Sequence, residues 1–218
     1  METNFQQEEI LQQTFIEVRR RFSGIIDIAH GWEHVNRVYT LALHIAREEH
    51  ADRFIVGMAA LMHDLGHTEA QHGDDHHADL SVAMARDLMQ RYSVPAQQQE
   101  AILHAIIAHS FSKGIEARSL EARVVRDADR LDALGAIGII RWAIVGTLRS
   151  NEQTLTYHPD DPFAHQREPD DKRYLLDHFY RKLFKLSDTM STATGRALAE
   201  QRTAFMRAFL AELQNEIF

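Results

Sequence analysis

The chain has 218 residues, a formal net charge of −8, 14 histidines and no cysteine. A chain this long supports one sizeable core that buries about 70% of the surface its unfolded form exposes. The acidic balance, with no dense Lys/Arg block, argues against binding to a nucleic-acid polymer, and the lack of cysteine excludes disulfides, thiolate nucleophiles and Cys-based zinc sites. The N-terminal segment lacks the basic start and apolar run of a secretory signal. No stretch approaches the roughly 18 apolar residues of a membrane span: the most apolar run, Leu131 to Leu148, is broken by Asp132 and Arg141. A cytoplasmic location with no membrane partner is the expectation.

Apolar residues recur at helical spacing almost throughout, with no convincing alternating strand, so an all-α fold is expected. The first helix covers Phe5 to Phe22, with Ile10, Phe15 and Val18 inward, and Gly24 ends it. A second runs from about Trp32 to His50. A third, capped by Asp52, contains Ile55, Ala59 and Met62 and ends near Gly66. A His/Asp-rich loop spans Gly66 to Asp75, and a fourth helix runs from His76 to Tyr92. Pro95 opens a fifth that ends near His109. Ser119 caps a long sixth helix through Arg130 to about Arg149, in which Gly135 and Gly138 permit close contact.

Residues Ser150 to Asp171 form a loop longer than a passive connector usually is. It reads as a surface excursion, a lid or the arm of a homodimer. Helices at Lys172–Leu186 and Thr192–Glu216 complete the chain. One domain is expected, with a core over about 25–149 and the helices of 172–216 packed on it.

Four polar residues fall on or beside the apolar stripes of these helices. His34 aligns with Val38, Leu41 and Ile45, on one face. His63 lies four residues after Ala59 and seven after Val56. Asp64 follows it, about 100° around the helix, so both reach one metal only if it lies between their directions, which a helix terminus makes feasible. Asp129 follows Val125 by four residues and precedes Asp132 by three. Asp127 points elsewhere and reads as solvated or as support for a ligand.

Unpaired imidazoles and carboxylates are costly to bury. A shared divalent ion makes their burial affordable. The alternatives are a satisfied core histidine at His34 and a salt bridge from Asp129 to Arg37 or Arg130. His109 shares a face with Ile102 and Ala105, and Lys113 beyond that helix end could meet phosphate oxygens or be an ordinary surface lysine. Arg130 either binds substrate or orients a carboxylate. His104 reads as surface or supporting, His72, His76 and His77 as possible substrate contacts, and Trp32 and Trp142 as core.

His34 in HGWEHVNRV, His63-Asp64 in LMHDLGH and Asp129 in DADRLDALGAIG resemble the HD superfamily of metal-dependent phosphohydrolases. IIAHSFS, YHPDDPFA and DDKRYLLDHFYRKLFKL resemble its YedJ/YpgQ-like bacterial subgroup, over nearly the whole chain. Many relatives have Asp where this chain has Gly31, so any support from that Asp is missing or moved here.

The resemblance implies an HD-type helical bundle in which His34, His63, Asp64 and Asp129 bind one divalent ion: Mn, Mg, Fe, Ni or Zn. It implies hydrolysis of a small phosphorylated metabolite, foremost a nucleotide, in the manner of a nucleoside triphosphate pyrophosphohydrolase. Asp64 then has a catalytic role as well as a ligand role. The HDLGH segment is similar to that of the superfamily's deoxynucleoside triphosphate hydrolases, which implies His67 as leaving-group acid, with Glu69 in competition. His109, Lys113 and Arg130 are the candidate substrate contacts. Phosphomonoesterase or cyclic-nucleotide phosphodiesterase activity is the enzymatic alternative. A metal-stabilised module that senses a nucleotide without turnover is the alternative of another class.

Overall fold

Asp52 shows how local chemistry starts a helix here. Its carboxylate accepts the N–H groups of Phe54 (2.9 Å) and Ile55 (3.1 Å), satisfying two of the donors a helix start leaves without partners. In the computed structural model, residues 2–27, 29–69, 77–110 and 113–217 are described, with side chains from Phe5 onward. Among them nine α-helices form and no strand: α1 Glu2–Arg21, α2 Trp32–Glu49, α3 Arg53–Met62, α4 His77–Arg91, α5 Ala96–His109, α6 Leu120–Leu131, α7 Gly135–Arg149, α8 Phe184–Leu186 and α9 Ala193–Ile217. The all-α expectation holds. No single described helix is long and apolar enough to cross a membrane.

The chain divides into two compact units, residues 1–129 and 130–218. In the first, α3 is central. It is apolar nearly all round, with Phe54 and every residue from Val56 to Met62 buried, the pattern of a helix enclosed on all sides. Helices α1, α2 and α5 pack around it, and α4 packs on α5 and on the turn that follows α3. The single turn of 3-10 helix at Leu65–Thr68 is held from below, since the Gly66 N–H donates to the buried Ser81 hydroxyl (2.8 Å).

Gly66 cannot be replaced without movement. A Cβ there would lie 2.1 Å from the His77 carbonyl oxygen and 2.9 Å from the Leu80 Cβ. Gly66→Ala is expected to destabilise the protein by about 1–3 kcal/mol, the usual cost of overpacking, and to weaken metal binding, because Asp64 and His67 flank the displaced backbone. Urea unfolding and a metal titration on the same sample measure both effects.

In the second unit, α7 packs on α9. The expected single helix from Ser119 to Arg149 is instead α6 and α7, separated at Asp132–Leu134. Leu134 is extended (φ −116°, ψ 159°) and Gly135 adopts φ +74°, a backbone that interrupts a helix and that glycine takes at little cost. The Arg202 side chain of α9 lies 3.1 Å from where a Gly135 Cβ would sit, and its guanidinium donates to the Leu131 carbonyl. Asp132, beyond the end of α6, is buried and paired with Arg141.

The helix expected over Lys172–Leu186 is also corrected. That stretch is a 3-10 turn at Leu175–Asp177, a π-helical turn at Phe179–Leu183 and the short α8. The reason lies in the hydrogen bonds of the long loop before it. The N–H of Leu155 donates to Arg173 O (2.9 Å), Leu175 to Leu155 O (3.0 Å) and Leu176 to Thr156 O (2.9 Å). Backbone groups committed to the loop cannot also close helical turns.

Candidate metal centre

His34 projects from the first turn of α2 and is 1% exposed. His63 continues the helical path of α3 (φ −57°, ψ −36°), but Asp64 leaves it (φ −110°, ψ 15°). That swing removes the divergence of two adjacent helical residues and turns both side chains to one point. Asp129 comes from α6, with its side chain 25% exposed.

The four polar groups converge within the first unit. His34 Nε2 lies 3.3 Å from His63 Nε2, 3.4 Å from Asp64 Oδ2 and 3.4 Å from Asp129 Oδ1. His63 Nε2 lies 3.5 Å from Asp64 Oδ2 and 3.9 Å from Asp129 Oδ1. His63 Nδ1 sits 2.8 Å from the Ala60 carbonyl oxygen. A proton on Nδ1 donates there, which leaves the Nε2 lone pair facing the centre. The donor set fits a divalent ion: borderline nitrogens and hard oxygens, near one point, in a buried setting where two bare carboxylates are costly.

Asp64 faces two ways. Its Oδ2 meets His34 and His63, while Oδ1 lies 3.4 Å from His109 Nε2 and 3.8 Å from His67 Nε2. His109, at the end of α5, is 4% exposed, and its Nδ1 bonds the Ile106 carbonyl, again leaving Nε2 inward. Among the described residues three groups could hold an ion: His34–His63–Asp129, Asp64–His77–His109 and Asp27–His30–His67. Sequence reasoning missed Asp27 and His30, which lie in a turn where no helical periodicity marks them.

The electrostatics follow from burial and mutual charge. Burial disfavours a charged His63 and pushes its pKa down to about 4, even though Asp64 opposes the shift. Burial works against the Asp64 anion, but His63 and the hydrogen bonds to His109 and His34 hold its carboxyl well below the usual range. For Asp129 burial is likewise outweighed, chiefly by the His34 hydrogen bond and by His63. For His109 the hydrogen bond and charge of Asp64 overcome burial and raise the pKa.

In the metal-free protein the unfolded chain takes up a proton at His63 near pH 6.5, which the folded chain resists until about pH 4. Stability is therefore lost as pH falls through that window, by on the order of 3 kcal/mol for this group. The raised His109 contributes stability that is already complete below its unfolded value, so it does not reverse the trend. Urea midpoints at pH 7 and pH 5 are expected to separate in the metal-free wild type and to draw together in His63→Gln.

The other expected site residues are placed as follows. His67 is mostly buried in the turn after α3, and Glu69 is exposed at the end of that turn. Lys113 pairs with Asp79 of α4. Arg130 donates to the Thr189 carbonyl (3.0 Å) within the second unit. Asp127 is fully buried, which rules out its solvated reading. Arg37 pairs with Glu33 (3.9 Å). The ring nitrogen of His104 accepts the Arg118 N–H (3.2 Å). His72 and His76 lie outside the described residues.

Residues 31–134, which contain all four converging side chains, match the HD domain family. The uncharacterized Bacillus subtilis protein YpgQ is 36% identical over 192 residues, 86% of this chain and 84% of that protein. This chain belongs to the HD-domain family. Its fold is similar to that of B. subtilis YpgQ in a crystal structure with ADP, at a TM-score of 0.75 and 31% identity, over 97% of this chain and 96% of that one. It is also similar to an HD-superfamily hydrolase from Bacillus thuringiensis, at a TM-score of 0.76 and 30% identity, over 96% and 97% of the two chains. Its family and its hydrolase neighbours suggest a metal-dependent hydrolase, and its His/Asp groups could hold a metal ion.

Proposed function

We propose that this protein hydrolyses a phosphate ester or anhydride of a small metabolite, foremost a nucleotide. The leading reaction is cleavage of a nucleoside triphosphate to the monophosphate and pyrophosphate. The observation behind it is the meeting of His34, His63, Asp64 and Asp129 at one buried point. The ADP in the YpgQ crystal structure supports a nucleotide as the ligand class.

His34, His63, Asp64 and Asp129 would hold one divalent ion, which when bound supplies Lewis acidity and positive charge opposite the phosphoryl oxygens. The protein's own part is placement, which dominates phosphoryl transfer. The Ala60 carbonyl fixes the ring of His63, whose lowered pKa keeps it neutral with Nε2 inward, and His34 Nε2 faces the same point. Asp64 spans the centre, binding on one side and facing His109 and His67 on the other. His67, 3.8 Å from Asp64, is the group we assign to protonate the leaving oxygen, in preference to the exposed Glu69. His109 and Lys113 are the candidate substrate contacts of this unit, and the pairing of Lys113 with Asp79 must open for Lys113 to serve.

The test is a nucleotide panel with purified protein and Mn, Mg, Fe, Ni or Zn in turn. Pyrophosphate as product is the expected result. Inorganic phosphate indicates a phosphomonoesterase, and a linear monophosphate from a cyclic nucleotide indicates a phosphodiesterase. No turnover of any phosphorylated compound with any of the five metals overturns the enzymatic reading.

A further inference from the structure

Three imidazoles from three separate parts of the first unit stand in one stack beside Asp64. His30 precedes α2, His67 follows α3 and His77 opens α4. The His30 and His67 rings are 4.6 Å apart and 10° from parallel, and the His67 and His77 rings 4.7 Å apart and 16° from parallel. His67 is thus enclosed on both faces while its Nε2 edge points toward Asp64.

The outer end of the stack is anchored. Asp27 Oδ1 accepts the N–H groups of Ala29 (2.8 Å) and His30 (3.0 Å), and Asp27 Oδ2 lies 3.0 Å from His30 Nδ1. One carboxylate therefore shapes the turn and fixes the ring of His30. Gly31 is part of the same device, because a Cβ there would lie 2.3 Å from the Asp27 carbonyl oxygen. Asp27 and His30 precede the segment that matches the HD domain family, which begins at residue 31.

We propose that Asp27 and His30 are positioning residues that act through His67: the anchored His30 ring holds the His67 imidazole in the plane from which it serves the reacting phosphate. The inference rests on the catalytic reading of His67 given above. Small displacements of a catalytic group cost large factors in rate, and a ring packed on both faces is the kind of support a working side chain needs. The chemistry is a division of labour. Asp27 orients His30 through a charge-assisted hydrogen bond, His30 supplies a flat face, and His67 meets the substrate.

Two readouts on the full-length protein test this, kinetics with whichever of the five metals gives the highest turnover and NMR with diamagnetic Zn. The first is kinetic, with the nucleoside triphosphate panel. His30→Ala is expected to lower kcat about 10–100-fold with KM and metal affinity little changed. His30→Phe, which keeps a flat ring, is expected to restore most of the loss, and Asp27→Asn to fall between them.

The second readout does not depend on turnover. The Hε1–Cε1 NMR signal of His67, assigned by its loss in His67→Gln, is expected to move in His30→Ala and to stay near its wild-type position in His30→Phe. An unmoved His67 signal in His30→Ala overturns the proposal, as does a kcat there equal to wild type. If wild-type protein turns over nothing with any of the five metals, the catalytic reading fails, and the NMR signal alone decides whether His30 positions His67.

Discussion

Asp64→Ala is expected to lower turnover by at least about a thousandfold, at the upper end of what removal of one group that stabilises the transition state costs. Asp64 bridges the two sides of the centre: one carboxylate oxygen faces His34 and His63 and the other faces His109 and His67. Its loss removes a proposed metal ligand, takes from His109 its nearest carboxylate and frees the edge of His67. Activity and melting temperature should be read together, with and without added metal. Lost turnover with a melting temperature within a few degrees of the metal-free wild type supports catalysis. A protein that is inactive in the wild type, and that loses a large metal-dependent rise in melting temperature in the variant, is a metal-stabilised module.

Arg167→Ala is expected to destabilise the second unit by about 3–5 kcal/mol, the cost of leaving a buried charge without its partner. Asp177 is fully buried. Its carboxylate receives Arg167 in two-point fashion, at 2.5 and 2.8 Å, and the Asp170 N–H at 2.6 Å. The hydrogen bond to Asp177 raises the pKa of Arg167 against the effect of burial, and its guanidinium also lies 4.7 Å from the centre of the Tyr174 ring.

Arg167→Lys is expected to recover little, since an ammonium reproduces neither the two-point contact nor the flat stacking surface. Chemical denaturation of the three proteins measures this. Unchanged midpoints in Arg167→Ala would show that the pair contributes nothing. The same contacts bear on the loop of residues 150–171: this part of it is tied down by Arg167 and by the Leu155–Tyr174 bridge.

The sequence made the first unit largely legible because most of its helices are amphipathic and they are well punctuated. Asp52 and Pro95 mark helix starts at the right places, and α2, α4 and α5 end within about two residues of where periodicity stops. The four converging side chains were legible for the same reason, since a polar residue on an apolar stripe is conspicuous. The break at Gly135 was less so: Leu131, Leu134 and Ile137 continue a helical spacing, while a positive φ leaves no mark beyond the glycine itself.

The stretch 172–186 was misread because its backbone partners are Leu155 and Thr156, some twenty residues earlier, and propensity is a local property. The Asp27–His30 anchor was missed for a third reason. Ring stacking between a turn, a 3-10 segment and a helix start depends on tertiary proximity alone.

The metal content of the purified protein, after loading with Mn and removal of free metal, tests the central claim most directly. Wild type is expected to retain about one equivalent, and His63→Ala and Asp129→Ala to retain little while staying folded by circular dichroism. Equal metal content in all three proteins, or none in the folded wild type, would contradict it.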